Sequence, residues 1–101
     1  MTGPILRPGD QLASTVCGTR VAVIRAPADR RPDITCGGSP MVAITPGQPR
    51  GVPGDGTLIG KRYVDVSEAV ELLCTSSGAG VLSCDDAPMT IKAAKPLPAS
   101  D

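Results

Sequence analysis

The residues of this chain that could do chemistry are four cysteines, Cys17, Cys36, Cys74 and Cys84. A thiolate nucleophile needs a lowered pKa and usually a basic partner, most often His. The chain contains no His, and its other polar residues form no recognisable catalytic arrangement. We therefore expect a protein that is not an enzyme and that has no catalytic residue.

One interpretation of the four cysteines is a structural metal site. Four thiolates hold Zn²⁺ tetrahedrally, and a bound metal would add stability that a small core lacks. The cysteines are separated by 18, 37 and 9 residues, whereas zinc ribbons and rubredoxin-type sites use closely spaced pairs. On this interpretation the metal is zinc or iron and its ligands are Cys17, Cys36, Cys74 and Cys84; otherwise no cofactor is expected.

The segment Cys36-Gly37-Gly38-Ser39-Pro40-Met41 resembles the second half of a rubredoxin-like knuckle, in which a ligand cysteine is followed by glycine. The resemblance covers six of the 101 residues and implies a metal-ligating role for Cys36. Asp33 and Ile34 occupy the region in which the first cysteine of such a knuckle would stand.

Two other interpretations of the cysteines stay open. An even number of cysteines in a short chain permits disulfides, in three alternative pairings. Residues 1–8 contain no apolar stretch long enough for a secretory signal, which indicates a cytoplasmic protein whose thiols stay reduced. Because free Cys packs as a small hydrophobic residue, the third interpretation is four independent buried thiols.

Charge and hydropathy argue against two classes of partner. Ten basic and ten acidic residues give a formal net charge of zero, and no dense basic stripe with interleaved aromatic residues is present, so we expect no nucleic-acid binding. No run of about 18 apolar residues is present, so we expect no transmembrane helix and no membrane partner.

The composition predicts a core made of aliphatic side chains. Tyr63 is the single aromatic residue, and the chain has 12 Gly and 11 Pro. Aromatic side chains usually bury about 150–250 Å² each, and a Gly-rich chain loses more backbone entropy when it folds. We therefore expect a marginally stable monomer whose strand edges are covered by a protein partner or by a second copy of the chain.

Pro and Gly divide the chain into short segments, a spacing that predicts strands rather than long helices. The strongest local signal is a hairpin of residues 11–17 and 20–25, with Gly18-Thr19 as a two-residue turn. This register pairs Val16 with Val21 on one face and places Cys17 on the opposite face.

Further short strands are predicted from apolar and β-branched residues, and no sequence repeat is evident. They cover residues 34–36, 41–44, 57–59, 61–64, 69–75, 81–84 and 89–91, with 69–75 and 81–84 as the arms of a second hairpin. The Pro- and Gly-rich residues 46–56 predict a mobile loop, and residues 93–101 predict an extended tail.

These observations predict a single all-β domain over residues 1–101, a small barrel or sandwich of short antiparallel strands joined by Pro/Gly-rich loops. The function that we expect is that of a small cytoplasmic, non-enzymatic binding or accessory protein, which docks on a protein partner or assembles with itself. The alternative is a cysteine-based metal-binding protein, with zinc or iron, or a redox protein.

Overall fold

The computed structural model describes residues 6–28, 32–44, 47 and 51–92. These residues form ten short strands: β1 (Gln11–Ala13), β2 (Arg20–Arg25), β3 (Ile34–Cys36), β4 (Ser39–Pro40), β5 (Val42–Ala43), β6 (Arg62–Val64), β7 (Glu71–Ser76), β8 (Leu82–Cys84), β9 (Ala87–Pro88) and β10 (Thr90–Ile91). The predicted tail, residues 93–101, lies outside the described residues.

The strands form two antiparallel sheets. One has six strands in the order β10-β6-β7-β2-β1-β5, and the other has four in the order β4-β3-β8-β9. The prediction of an all-β fold is confirmed, although the sheets stay open instead of closing into a barrel. The described part of the chain contains no helix that is long and apolar enough to cross a membrane.

The two halves of the chain repeat one pairing pattern. In the first half β1 lies between β2 and β5, and β3 pairs with β4; in the second half β6 lies between β7 and β10, and β8 pairs with β9. The registers agree residue by residue. The pair Leu12 and Val21 in the first half, for example, corresponds to Tyr63 and Leu72 in the second.

The halves meet through strands that pair with their own counterparts, β2 with β7 and β3 with β8. At the centres of these two pairings, Ala22 lies opposite Leu73 and Thr35 lies opposite Ser83. Each of these residues faces its equivalent in the other half. The two halves are therefore related by an approximate two-fold rotation, as in a symmetric dimer.

The expectation of no internal repeat is wrong, since residues 34–43 and 82–91 are equivalent in strand order and register. They share Cys, Pro and Met at matching positions, namely Cys36 with Cys84, Pro40 with Pro88 and Met41 with Met89. Eight positions separate β2 from β3 in the first half, and five separate β7 from β8 in the second. This difference in length shifts the alignment and hides the repeat.

The first predicted hairpin exists with a different turn. Its loop is residues 14–19, closed by the pair Ala13 and Arg20 and by a 2.8 Å hydrogen bond from the Ser14 amide to the Thr19 carbonyl. The predicted partner of Val21 was Val16, which lies in the loop and is 56% exposed. Leu12 takes its place.

The Ser14 hydroxyl contributes to this difference, because it accepts the backbone N–H groups of Val16 (3.1 Å) and Cys17 (3.2 Å). Such local side-chain hydrogen bonds compete with strand pairing. The shift in register is an even number of residues, so the same side chains of β2 still face the core.

The second predicted hairpin is wrong, although its two strands form. β7 pairs with β2 and β6 in the large sheet, whereas β8 pairs with β3 and β9 in the small one. After β7 the backbone of Gly78 pairs with Thr57 instead, through an amide-to-carbonyl bond of 2.9 Å. Residues 77–81 therefore carry the chain from one sheet to the other.

The core lies between the two sheets and is aliphatic, as the composition predicts. Its largest fully buried apolar side chains are those of Val21, Val23, Val70, Leu72 and Leu82. The Tyr63 ring is also buried, and its hydroxyl accepts the Leu58 amide at 2.9 Å. Among the described residues, no buried side-chain nitrogen or oxygen lacks a hydrogen-bond partner, as expected of a packed interior.

The described part of the predicted mobile loop, residues 51–56, contains no strand. It lies against the loop of residues 14–19, since the Gly18 amide donates to the Val52 carbonyl at 2.7 Å. Gly54 and Gly56 lie against the backbone of Ala79 with no room for a Cβ. The mobility of residues 46–56 stays a prediction.

Candidate functional site

Two of the four cysteines lie side by side. The Sγ atoms of Cys17 and Cys36 are 3.7 Å apart, and both residues are buried. Cys17 belongs to the loop of residues 14–19 in the large sheet, and Cys36 is the last residue of β3 in the small sheet. The pair therefore connects the two sheets, and we call it the thiol pair.

Three polar groups surround the Cys17 sulfur. The hydroxyl oxygens of Ser14 and Thr19 both lie 3.3 Å from it, and the Gly80 backbone N–H donates to it at 3.3 Å. When Cys17 is a thiol it donates its one proton to a hydroxyl. When it is a thiolate, both hydroxyls turn their protons toward the sulfur.

These hydrogen bonds lower the pKa of Cys17. Burial alone raises the pKa of the thiol, but hydrogen bonds from the Ser14 and Thr19 hydroxyls and from the Thr19 and Gly80 amides outweigh it. The net pKa falls from the ordinary 9.0 to about 6. Hydrogen bonds to the charged form of an acid stabilise that form, so Cys17 is mostly a thiolate at neutral pH.

The pKa of the second thiol of the pair, Cys36, is shifted in the opposite direction. Burial raises the pKa of Cys36 above 9.0, and the neighbouring Cys17 raises it further, against a lowering by the Thr19 hydroxyl. Two thiolates in contact would repel each other, so one proton stays on the pair. The geometry therefore combines a thiolate, Cys17, with a protonated thiol, Cys36.

Glycines form the cover of the thiol pair. A Cβ at Gly78 would lie 2.8 Å from the Cys17 sulfur, and a Cβ at Gly80 would lie 2.8 Å from the Cys36 sulfur. Only a residue without a side chain allows the backbone to approach this closely. The segment of residues 77–80 therefore encloses the pair and delivers the Gly80 amide to Cys17.

The other two cysteines lie outside the pair. Cys74, in β7, donates to the Ser76 carbonyl at 3.2 Å, and burial raises its pKa above 9.0. The sulfur of Cys84, in β8, lies 3.9 Å from a carboxylate oxygen of Asp85. None of the four cysteines, all of which lie within the described residues, is in a disulfide.

The metal interpretation required Cys17, Cys36, Cys74 and Cys84 together. Within the described residues, which include all four, no group of three or more His, Cys, Asp or Glu side chains is arranged to hold a metal ion. The structure unites Cys17 and Cys36 and leaves Cys74 and Cys84 apart. The zinc or iron site stays a prediction, and the observed pairing favours the chemistry of two thiols.

Sequence reasoning missed the polar groups that act on Cys17. Ser14 and Thr19 were available as a signal, because small hydroxyl residues flank Cys17 in the segment 14–19. No such signal pointed to Gly80, because this residue is distant in sequence. It reaches the Cys17 sulfur only because residues 77–80 pack on the loop of residues 14–19.

A second polar cluster lies in the other half of the molecule. The Glu71 side chain, 3% exposed, pairs with Lys92 at 3.0 Å and with Arg62 at 3.2 Å. The hydrogen bond from Lys92 and the charges of both cations lower the pKa of this carboxyl below 4.5, against the effect of burial. This cluster links β6, β7 and the end of β10 by ion pairs, so we expect it to stabilise the large sheet.

Comparisons with protein-family models, with curated proteins and with solved structures find no match to this chain. The class that fold and site define is a small all-β protein with a buried pair of unlike thiols.

Proposed function

We propose that the protein is a small, non-enzymatic thiol redox protein in which Cys17 and Cys36 are joined reversibly by a disulfide. The observation that supports this proposal is the 3.7 Å separation of the two sulfurs. A disulfide bond is about 2.0 Å long, so the sulfurs need to approach by only about 1.7 Å. This gap is small enough for a change in side-chain torsions and a slight movement of the loop.

The unlike protonation of the two thiols supports a defined sequence of steps. The thiolate is the nucleophile in thiol–disulfide exchange. The Cys17 sulfur attacks one sulfur of a disulfide oxidant, the oxidant's S–S bond breaks, and one thiolate leaves. The Cys36 thiol then loses its proton and attacks the Cys17 sulfur. The protein disulfide forms, and the second thiolate leaves and takes up the proton.

The proposed function requires neither a metal nor catalytic turnover, because each molecule stores two electrons in its two thiols and releases them when the disulfide forms. It includes the cytoplasmic location expected from the sequence, since a reducing compartment returns the disulfide to two thiols. A disulfide between Cys17 and Cys36 would also fasten the loop of residues 14–19 to β3 of the other sheet. It would thus stabilise a core in which Tyr63 is the single aromatic side chain.

The test is oxidation of the purified full-length chain in glutathione buffers of increasing oxidised fraction, followed by unfolding, alkylation and peptide mass spectrometry. The expected product is a cross-link between Cys17 and Cys36, with Cys74 and Cys84 alkylated. The matched control is C84S, which changes the equivalent of Cys36 in the second half and leaves the cross-link unchanged. Four alkylated cysteines in the most oxidising buffer, or a cross-link through Cys74 or Cys84, would refute the proposal.

A second candidate function, docking, has support from the sheet edges. β5 and β10 occupy the two ends of the six-stranded sheet, and the edge residues Val42 and Ile91 are 42% and 46% exposed. Open strand edges with apolar side chains are templates for pairing with another chain. The partner in this second proposal is another copy of the same chain.

Light scattering over a range of protein concentrations tests the docking proposal. We expect association that weakens in I91K, because a lysine at an edge discourages strand pairing. Val66, exposed in the loop between β6 and β7, offers the control V66K, which places the same charge away from the edges. A wild-type protein that stays monomeric at every concentration would refute self-association.

A further inference from the structure

Access to the thiol pair is narrow. Cys17 is 7% exposed and Cys36 is 0% exposed. Three backbone segments surround the pair: residues 14–19, which carry Cys17; residues 51–56, which pack on the backbone of Cys17 and Ala79; and residues 77–80, which lie against both sulfurs. The Gly18 amide holds the first two together by its bond to Val52, and Gly78 lies against Thr19 with no space between them. A bulky oxidant can reach Cys17 only after these loops separate, whereas a molecule of nearly the size of water needs a much smaller opening.

The groups around Cys17 suit the attack of a thiolate on an O–O bond. Ser14 Oγ, Thr19 Oγ1 and Gly80 N are distributed around the sulfur at 3.3 Å. They are hydrogen-bond donors fixed by backbone and loop, and such donors stabilise negative charge that develops on an oxygen next to the sulfur. No cation is needed for this arrangement.

We propose that Cys17 is a sulfenylation site for small hydroperoxides, hydrogen peroxide above all, and that Cys36 is the thiol that resolves the sulfenic acid. This inference rests on the proposed thiol redox function and adds to it the chemical class of the oxidant. The observations that carry it are the enclosure of the pair, the three donors around Cys17 and the position of the Cys36 sulfur 3.7 Å away.

The reaction balances in two steps. In the first, the Cys17 thiolate attacks one oxygen of hydrogen peroxide, an S–O bond forms, the O–O bond breaks, and hydroxide leaves and takes up a proton as water. In the second, the Cys36 thiol loses its proton and attacks the Cys17 sulfur. An S–S bond forms, the S–O bond breaks, and a second water leaves. The two thiols are oxidised by two electrons and the peroxide is reduced.

The test uses the C36S variant, in which the sulfenic acid cannot be resolved by its partner. The variant is treated with hydrogen peroxide and then unfolded in the presence of dimedone, so that this label for sulfenic acids can reach the enclosed sulfur, and the labelled peptide is identified by mass spectrometry. We expect one dimedone adduct per chain, on Cys17, and none on Cys74 or Cys84. The wild type should give the disulfide between Cys17 and Cys36 and little adduct, and C84S should behave as the wild type does.

A comparison of oxidants tests the role of enclosure and does not depend on a variant that folds. Hydrogen peroxide should form the disulfide in the wild type at least about tenfold faster than cumene hydroperoxide at equal concentration. Equal rates, or a faster reaction with the bulky hydroperoxide, would overturn the inference.

The outcomes separate this inference from the proposed function. A disulfide between Cys17 and Cys36 in glutathione buffer, together with no Cys17 adduct in peroxide-treated C36S, would overturn the inference and leave the thiol redox function standing. An adduct on Cys74 or Cys84 in place of Cys17 would also overturn it. No disulfide with any oxidant would overturn both.

Discussion

The two halves of the molecule place the same six-residue loop at the same point of the fold and fill it differently. Residues 14–19 connect β1 to β2, and residues 65–70 connect β6 to β7. Both loops are closed by a backbone hydrogen bond between their end residues, from Ser14 to Thr19 and from Asp65 to Val70. Their common geometry follows from the common register of the flanking strands.

The polar side chains of the two loops have different hydrogen-bond partners. In the second loop the Asp65 carboxylate accepts the Val70 amide at 3.1 Å and the Ser67 hydroxyl at 2.7 Å, so its polar groups satisfy one another. In the first loop the hydroxyls turn to a sulfur, Cys17, whose equivalent in the second loop is Glu68. One loop is thus a closed structural turn, and the other holds a reactive thiol next to Cys36. The fold supplies the position, and the side chains decide whether it carries chemistry.

The largest effect is expected at Gly78, which lies over the thiol pair. In G78A the added Cβ collides with Thr19 and with the Cys17 sulfur, and overpacking of this kind should lower the free energy of unfolding by about 3 kcal/mol. The control is G60A, at a glycine with φ of +81° and open space around its Cβ position, where strain alone should cost about 1 kcal/mol. Urea unfolding measures both losses, and equal losses in the two variants would contradict a tight contact between Gly78 and the thiol pair.

The next effect concerns Glu71, the charged centre of the second half. E71Q removes the carboxylate that Lys92 and Arg62 share. Both cations are more than one-third exposed, so solvent screens them, and we expect a loss of about 1–2 kcal/mol in the free energy of unfolding. The control E68Q makes the same change of formal charge on an exposed residue and should cost less. A similar loss in both variants would contradict the structural role of the cluster.

The same cluster predicts a pH dependence of stability. The folded-state pKa of Glu71 is lowered below 4.5, chiefly by Lys92, so the unfolded chain binds the proton more tightly. The contribution of Glu71 is therefore fully present above pH 4.5 and is lost as the pH falls through the lower folded pKa. Unfolding measured at a series of acidic pH values should give a flatter profile for E71Q than for the wild type.

A smaller effect distinguishes the matching turns of the two halves. Gly37 and Gly38 join β3 to β4, and Asp85 and Asp86 join β8 to β9; all four have positive φ, the signature of a tight two-residue hairpin turn. Asp tolerates this conformation less well than Gly. D86G should therefore stabilise the protein by about 0.5–1 kcal/mol, and the reciprocal G38D should destabilise it. Thermal unfolding of the two variants would contradict the account if both shifts had the same sign.

How far the sequence predicted this molecule depends on the range of the interaction concerned. The strand of residues 34–36 and the turns at Gly37-Gly38 and Asp85-Asp86 follow from local signals, as does the aliphatic core. The prediction of a strand over residues 69–75 is confirmed, since β7 covers Glu71–Ser76. These features depend on side-chain pattern and turn chemistry within a few residues.

Pairing between distant strands was not predictable from the sequence alone. Strands of two or three residues carry too few side chains to specify a partner, so the pairing of β8 with β3 could not be distinguished from a pairing with β7. The approach of Cys17 to Cys36 depends on that topology and on glycines that come from residues 77–80. The loop of the first hairpin is shaped in part by the Ser14 hydroxyl, while its register is also fixed by the pairing of β1 with β5 and of β2 with β7.

The smallest expected effect follows from removing one hydroxyl group from each of the two loops. S14A removes one hydrogen bond to the Cys17 sulfur, so the pKa of Cys17 should rise above about 6 while the fold is kept. The matched control is S67A, which removes a hydroxyl from the equivalent loop of the second half and should leave the Cys17 titration unchanged. A shift in S67A, or none in S14A, would contradict the assignment of Ser14 as a donor.

The central claim, that the thiol pair combines one thiolate with one protonated thiol, is tested most directly by titrating the four cysteines individually. The chemical shift of each cysteine Cβ, followed by NMR as the pH is raised, reports the ionisation of that thiol. We expect a midpoint of about 6 for Cys17 and midpoints above 9.0 for Cys36 and Cys74. A Cys17 that titrates at 9.0 or higher, together with the other thiols, would contradict it.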